Sequence, residues 1–302
     1  MQPRLLGWWA ALQALPRNRW RWVGYALTAA GLAYVLYILI VQGRDLAAVD
    51  WGAYLWPTVL ALLVYLLSLL VQFFVWLRVL AFHRPPDWHD VDIYARMIIT
   101  RRLPGGFWHW LGRAAMYTAA TQLPTRVVVA ANFIEWGLLI VVGAAVYAAG
   151  LETIGVGRWL LAAAALAVGL ALAAAWQPRT CALAHRLAEG GLWSTLFAGS
   201  WLLGGLIVWL YTNAGGSELG WLAATHAWAL AGVVGLILTI VPAVFGIQEV
   251  TLTVLLQPAL PQATALLAAV LLRLVFTLAD VLWGLVGWGI AAAVLRQRGP
   301  LT

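Results

Sequence analysis

Uninterrupted apolar runs of about twenty residues recur along the chain, and they limit its fold more than any other feature. A helix of that length crosses the hydrocarbon core of a bilayer, which is about 30 Å thick. Lipid offers the backbone no hydrogen-bond partners, so a spanning segment must pair its own amides, as an α-helix does. We expect spans at 23–42, 58–80, 127–149, 159–176, 192–211 and 221–241. The last apolar block, 263–295, is too long for one simple span and must tilt, kink or extend past the bilayer.

The composition agrees with a polytopic membrane protein. Charged residues make up 10% of the chain, against about a quarter of a soluble domain. We therefore expect an all-α bundle of about seven spanning helices plus two broken or re-entrant elements, forming a single integral membrane domain over residues 1–302. The net charge of +7 comes from arginine, since the chain has no lysine, and it indicates membrane placement rather than nucleic-acid binding. The lone cysteine, Cys181, excludes an internal disulfide and a cysteine-based metal cluster.

The arginines are unevenly distributed among the loops. They cluster before the first expected span, between residues 78 and 102, at 179–186 and near the end of the chain. The alternate loops hold only Arg44 and Arg158. The positive-inside rule therefore predicts a cytoplasmic N-terminus. This orientation requires residues 94–122 to begin and end on the cytoplasmic side.

Two broken segments interrupt the apolar pattern, one in each half. The first, RRLPGGFWHWLGR at 101–113, contains a Pro-Gly-Gly break. The second, VPAVFGIQEVTLTVLLQPALP at 241–261, breaks at Pro242 and Gly246. The arginine distribution requires both segments to turn back, so we expect re-entrant elements near 94–122 and 241–261. Paired broken segments in the two halves of a membrane protein indicate a transport site.

The break in the first segment is a candidate anion site. Proline removes a backbone donor and glycine permits unusual dihedral angles, so N–H groups are freed where a new helix starts near Phe107. Helix N-termini bind phosphate, and arginine matches phosphate oxygens with a planar fork. We expect Arg101 and Arg102 at the cytoplasmic headgroup level, and Arg113 deeper and facing an acid. An ordinary turn with positive-inside arginines is the alternative. The candidate substrate-binding residues here are Arg101, Arg102, Pro104, Gly105, Gly106, Trp108, His109 and Arg113.

Several ionisable residues lie within or beside apolar runs, where a charge costs about 2.5–3.5 kcal/mol on insertion scales. They are Glu135, Glu249, Arg273 and Asp280, and with Gly246 they complete the candidate substrate-binding residues. Such charges pair with each other or line a wet cavity, and Glu249 or Glu135 is a candidate partner for Arg273. Structural ion pairs are the alternative, left open for Glu135 and Asp280. Function is favoured for Glu249 and Arg273, because Glu249 directly follows a break.

These segments resemble the transmembrane region of lysylphosphatidylglycerol synthases and their stand-alone flippase-like relatives. RRLPGGFWHWLGR is similar to that family's Y-[IL]-P-G-x-x-W…GR segment, and VPAVFGIQEVTLTVLL to its P-G-G-[LI]-G-x-x-E…LL segment. LLRLVF, which carries Arg273, follows at the family's distance, and the helix with Glu135 resembles its S-x-x-x-E helix. The resemblance covers residues 20 to 295, most of the chain.

The resemblance implies a flippase-like protein of a bacterial or archaeal plasma membrane, which moves or binds a phospholipid or polyprenyl-phosphate-linked glycolipid between leaflets. The implied partner is a membrane lipid or lipid-linked sugar, and a homo-oligomer is left open. The bifunctional relatives carry a separate synthase domain, which this sequence lacks, so no aminoacyl transfer is expected. The stretch Pro242-Ala243-Val244 stands where the family has Pro-Gly-Gly, so two glycines are lost, and Gln248 replaces the family's usual basic residue. Both departures bear on whether an anionic cargo fits there.

Two other classes of function compete with transport. An integral membrane enzyme that modifies lipids would use Glu249 as a base, but the sequence has no aspartate-rich metal motif and no Ser-His-Asp arrangement. A structural or regulatory membrane protein would not move lipid at all. We expect a transporter with no catalytic residue, no metal and no cofactor.

Overall fold

The computed structural model describes residues 50–102, 108–121, 123–152, 155–178, 180–238 and 246–298, together with residues 33, 36, 37, 40 and 41. Within these ranges the chain forms nine α-helices and no strand, which confirms the predicted all-α fold class. Apart from those five residues, the span expected at 23–42 lies outside the described residues, as do the breaks at 104–106 and 242–245.

The helices follow one another through short connections. In chain order they are α1 Gly52–Leu80, α2 Trp88–Ile99, α3 Trp108–Thr121, α4 Thr125–Ala149, α5 Gly157–Trp176, α6 Leu183–Ala214, α7 Trp221–Leu238, α8 Ile247–Leu256 and α9 Gln262–Arg298. A short 3-10 helix, Thr100–Arg102, extends α2.

Six of the described helices, namely α1, α4, α5, α6, α7 and α9, are long and apolar enough to cross a membrane. They coincide with the predicted spans from 58–80 onward. Helix α6 begins at Leu183, well before the expected residue 192, because its polar first turns are bonded to neighbours, as where Arg186 Nε donates to the Ala174 carbonyl (2.9 Å). Helix α9 is one continuous helix of 37 residues, about 55 Å long, so it extends well past a 30 Å core.

The polar connection after α1 is shorter than the sequence suggested. Residues 81–93 are a polar stretch of the sequence, but α2 already begins within it, at Trp88. Asp87 caps this helix: its side chain accepts from the His89 amide at 2.8 Å. Asp90 in return accepts from the Asp87 amide at 2.7 Å. This reciprocal capping box satisfies amides at the start of a helix and stabilises it.

Contacts between helix termini define what we call the basic end of the bundle. The Trp176 indole N–H donates to the Val79 carbonyl at 3.0 Å, so α5 ends beside the end of α1. Arg78 pairs with Glu189, so α6 begins there too. Arginines 78, 84 and 186 all lie at this end.

The other termini meet at what we call the opposite end. Tyr211 Oη donates to Thr58 Oγ1 at 3.2 Å, so α6 ends beside the start of α1. Gly215, just after α6, lies against Thr264 in the first turn of α9. Helix α9 therefore starts at the opposite end and runs towards the basic end.

The core between these ends is rich in large aromatic side chains. Along α1, Tyr65, Leu69 and Trp76 fall on one stripe at spacings of four and seven residues, and all are buried. Tryptophans fit where glycines face them: Trp201 lies against Gly143 and Gly232. Such close packing without a side chain is the usual role of small residues between membrane helices.

Candidate functional site

The first hairpin consists of α2, the 3-10 helix and α3. Helix α2 packs antiparallel on the last part of α9, where Ile99 faces Gly284 and Val91 faces Gly287. It therefore runs inward from the basic end. Helix α3 runs back beside α1: the Trp76 indole N–H, one turn from the end of α1, donates to Tyr117 Oη at 2.8 Å. Both ends of the first hairpin thus lie at the basic end of the bundle.

The depth order of the arginines in this hairpin differs from the expectation. Arg101 Nη1 donates to Gln72 Oε1 at 3.0 Å, whereas the Arg113 guanidinium lies over the Trp76 ring, 4.3 Å from its centroid. Gln72 is one turn of α1, about 6 Å, further from the basic end than Trp76. The expected order is therefore wrong. Arg101 is deeper because it lies at the inner end of the inward run of α2 and the 3-10 helix, whereas Arg113 lies more than one turn along α3, which runs back towards the basic end.

Gln72 continues a chain of polar side chains into the bundle. Its amide nitrogen donates to Ser68 Oγ at 3.3 Å, and Ser68 Oγ donates to Ser200 Oγ of α6 at 3.1 Å. Gln72, Ser68 and Ser200 are all buried. This series of hydrogen-bonded side chains therefore links Arg101 to the packed interface between α1 and α6.

Arg113 is enclosed by the protein rather than open to a ligand. Its guanidinium lies between the rings of Trp76 and Tyr94, 4.3 and 4.5 Å from their centroids. Nη1 pairs with Glu135 at 2.6 Å and donates to Asn132 at 3.3 Å. The Arg113 and Glu135 side chains are only 3% and 8% exposed. Arg113 meets an acid as expected, but this burial favours the structural interpretation of the pair.

The remaining candidates of the first hairpin are only partly visible. Arg102 ends the 3-10 helix and Trp108 begins α3, while their side chains lie outside the described part of the structure. Pro104, Gly105 and Gly106 lie outside it altogether. His109 is partly buried, with its ring 5.4 Å from that of Trp110.

The second hairpin consists of α7 and α8 and has the reverse orientation. Helix α7 starts at the opposite end, where His226 lies against Gly150 beyond the end of α4. Gln248 in the first turn of α8 faces Gly235 near the end of α7, so α8 returns alongside it. Since α9 starts at the opposite end, the second hairpin enters and leaves there.

Helix α8 begins at Ile247, and the residue that caps its start is Gly246, whose φ of 84° is in the left-handed region. Residues with a side chain avoid this region, so glycine suits the position. A side-chain β-carbon would meet no atom within 4 Å there, so backbone conformation rather than space accounts for the glycine. This turn brings Glu249 into the bundle.

Glu249 of α8 pairs with Arg273 of α9, one of the two pairings that the sequence left open. The two side chains are 12% and 24% exposed, so this pair is more accessible than Arg113–Glu135. Glu249 Oε2 accepts no hydrogen bond from the described residues. The pair lines a crevice together with Trp228, Gln248, Leu252, Ala269, Leu272 and Phe276.

Asp280 lies two turns along α9 from Arg273, towards the basic end, and is 1% exposed. The glycines that follow it serve packing, since a β-carbon on Gly284 would approach the Ala95 carbonyl oxygen to 2.8 Å. Asp280 is therefore part of the packed interior rather than of the crevice.

The two ion pairs occupy comparable places in the two hairpins. Each joins a short helix after a break to the long helix that follows: α3 to α4 and α8 to α9. Glu135 and Arg273 each lie about 15–16 Å along their long helices, measured from opposite ends of the bundle. The order of the charges is reversed. The arrangement resembles an inverted pair of elements, as found around transport sites.

Sequence reasoning missed Gln72, Ser68 and Ser200. A usable signal exists, because Ser68 and Gln72 are polar residues four apart in an apolar run and so share a helix face. Ser200 offers no such pattern. Its role depends on how α6 packs against α1, which the sequence alone does not specify.

Within the described ranges, no three His, Cys, Asp or Glu side chains group closely enough to hold a metal ion. Comparisons with protein-family models, with curated proteins and with solved structures give no match. The resemblance to the lysylphosphatidylglycerol synthase transmembrane region therefore stays a prediction.

Proposed function

We propose that this chain is a flippase-like transporter that moves or binds a phospholipid or polyprenyl-phosphate-linked glycolipid between leaflets. The observation that carries the proposal is the accessible Glu249–Arg273 pair in a crevice beside the helix break at Gly246. Arg273 lies about 16 Å along α9 from its first residue, so a 30 Å core that began with this helix would have Arg273 near its middle. Ionisable residues at that depth are functional by default.

The arrangement of the two hairpins supports transport between two sides. One hairpin enters from each end of the bundle, and each carries charged residues into the interior. Such oppositely oriented broken elements surround the substrate sites of many transporters. The excess of arginine at the basic end supports its assignment to the cytoplasm.

The chemistry of the crevice suits an amphipathic molecule. Arg273 offers a cation and Glu249 an acceptor, while Trp228 and Phe276 supply apolar walls. A headgroup would contact the charged pair while its acyl or prenyl tails stay in the surrounding lipid. No step of this process requires a chemical change in the lipid.

Reconstitution in liposomes that contain labelled lipids tests the proposal. We expect labelled headgroups to exchange between leaflets faster than in protein-free vesicles. Arg273→Gln should slow the exchange about tenfold, which corresponds to about 1.4 kcal/mol of lost interaction. Arg126→Gln, at an exposed position in the first turn of α4, is the matched control and should leave the rate unchanged.

Two outcomes of this experiment would overturn the proposal. Exchange no faster than in empty vesicles, for phospholipids and for polyprenyl phosphates, would contradict transport and favour a structural or regulatory role. A covalent change in the lipid, detected by mass spectrometry and lost in Glu249→Gln, would instead favour the lipid-modifying enzyme.

A further inference from the structure

Arg101 differs in the kind of partner it has from five other arginines around the two hairpins whose side chains the structure describes. Carboxylates of the protein pair with Arg78, Arg84, Arg96, Arg113 and Arg273. The contact that the described residues give Arg101 is instead to the neutral amide oxygen of Gln72, at 3.0 Å. A guanidinium stays charged at any pH at which proteins are folded. Among the described side chains, its charge is therefore not balanced by an acid.

Arg101 is partly buried, and the polar side chains that continue from it into the bundle are buried and rich in hydrogen-bond donors. Gln72 is 6% exposed, Ser68 3% and Ser200 8%. The Gln72 amide nitrogen and the two serine hydroxyls can all donate, and they follow one another at 3.3 and 3.1 Å. In a low-dielectric interior an uncompensated cation is costly, and an anion that accepts these donors would be strongly held.

We infer that Arg101, Gln72, Ser68 and Ser200 form a binding site for the phosphate group of a lipid headgroup. This inference rests on the proposed function. It adds a second binding site for the lipid, separate from the Glu249–Arg273 crevice. The guanidinium fork matches two phosphate oxygens, and the Gln72 amide nitrogen supplies a further donor, with the Ser68 and Ser200 hydroxyls following behind it. To admit the phosphate, the Gln72 amide oxygen must rotate away from Arg101, so that the amide nitrogen takes its place.

The position of the site along the bundle agrees with a shared lipid path. Tyr65 lies three residues before Ser68 on the same face of α1, and its ring stacks on Phe276 with centroids 3.9 Å apart. Phe276 also lines the crevice that contains Arg273. The stacked rings thus separate the Arg101 site, on the side of the basic end, from the Glu249–Arg273 crevice, on the side of the opposite end.

Calorimetric titration of the full-length protein in detergent tests this site directly. The probes are dihexanoyl-phosphatidylglycerol, dihexanoylglycerol without the phosphate, and inorganic phosphate. We expect the phosphatidylglycerol to bind and dihexanoylglycerol to bind at least tenfold more weakly. Arg101→Gln should weaken phosphatidylglycerol binding at least tenfold, whereas Arg126→Gln at the exposed start of α4 should not.

A second variant keeps the test decisive if Arg101→Gln fails to fold. Gln72→Glu has the same shape and places a carboxylate where the amide oxygen accepts from Arg101. The protein then supplies its own anion, so we expect a higher melting temperature together with loss of phosphatidylglycerol binding. If the role of Arg101 were purely structural, Gln72→Glu would raise the melting temperature without changing the binding of phosphatidylglycerol.

The possible results separate this inference from the proposed function. Undiminished phosphatidylglycerol binding in both Arg101→Gln and Gln72→Glu would overturn the site. Binding of inorganic phosphate without phosphatidylglycerol would assign the site to free anions and overturn its place in a lipid path. If the variants lose binding as expected but the wild-type protein exchanges no lipid in liposomes, the site stands and the transport proposal fails.

Discussion

At the scale of residues, the two ion pairs of the hairpins differ in access rather than in chemistry. Arg113 lies between two aromatic rings and pairs with Glu135 in a closed environment. The Glu249–Arg273 pair is partly exposed in its crevice. We therefore expect the first pair to matter chiefly for stability and the second chiefly for lipid exchange.

Because of this difference, we expect Glu135→Gln to cost more stability than Glu249→Gln, and Glu249→Gln to slow lipid exchange more than Glu135→Gln. Glu135→Gln leaves the guanidinium of Arg113 buried without its acid and should cost about 3–5 kcal/mol of unfolding free energy. Glu249→Gln should cost about 1–3 kcal/mol, because Arg273 keeps some exposure, yet it should slow lipid exchange more. Chemical unfolding in detergent and exchange in liposomes, measured on both variants, check the ranking.

A double-mutant cycle serves as the control for the second pair. Arg273→Gln added to Glu249→Gln should recover part of the stability that Glu249→Gln loses, because no charge is then left unbalanced. Fully additive losses would contradict a direct contact between the two side chains.

The sequence identified the charged residues that lie inside the bundle, but it did not identify which of them pair with each other. Glu135, Glu249, Arg113 and Arg273 stand out because charges are rare in apolar runs. Their pairing depends on which helices are neighbours, and residue spacing carries little information on that. The amide of Gln72 was overlooked for a related reason: an uncharged polar residue in a span is common, and only its contact with Arg101 distinguishes it.

At the scale of elements, the first hairpin is attached to the bundle by the contact of α2 with α9. Gly284 and Gly287 of α9 let α2 approach, and Arg96 lies over Trp288 with 5.4 Å to the ring centroid. The packing tolerates no side chain at Gly284, where the Ala95 backbone comes close.

This contact predicts that Gly284→Ala moves or loosens α2. The new methyl group would meet Ile99 and the Ala95 carbonyl oxygen, so we expect a loss of about 1–3 kcal/mol from overpacking. Gly289→Ala in the same helix is the matched control, since nothing lies within 4 Å of its β-carbon. That variant should be neutral or slightly stabilising, because alanine favours helix. Equal melting temperatures for the two variants would contradict the packing.

Most elements could be predicted because their causes are local. Apolar runs predicted the six helices of the described part that are long and apolar enough to cross a membrane, with boundary errors where polar turns continue a helix, as before residue 192 in α6. The start of α2 was missed although its signal is readable: Asp87 and Asp90 have the three-residue spacing of a capping box. The direction of each hairpin could only be deduced indirectly, from the distribution of arginines.

At the scale of the whole molecule, the proposed orientation makes a prediction about chemical access. The native Cys181 lies between α5 and α6 at the basic end, and Glu218 is exposed between α6 and α7 at the opposite end. In intact cells, a membrane-impermeant maleimide should label Glu218→Cys, made in a Cys181→Ser background, but not Cys181. In everted vesicles the labelling should reverse. The reverse pattern in intact cells would place the basic end outside.

Helix α9 packs against both hairpins and therefore couples their movements. It holds α8 through Arg273 and α2 through Gly284 and Gly287, at points about 17–21 Å apart along one unbroken helix. A tilt of about 5° around its middle would displace its two termini by about 2 Å each, in opposite senses. Such a see-saw would loosen one hairpin as it compressed the other, so under the proposed transport function the two sides of the bundle would not open together.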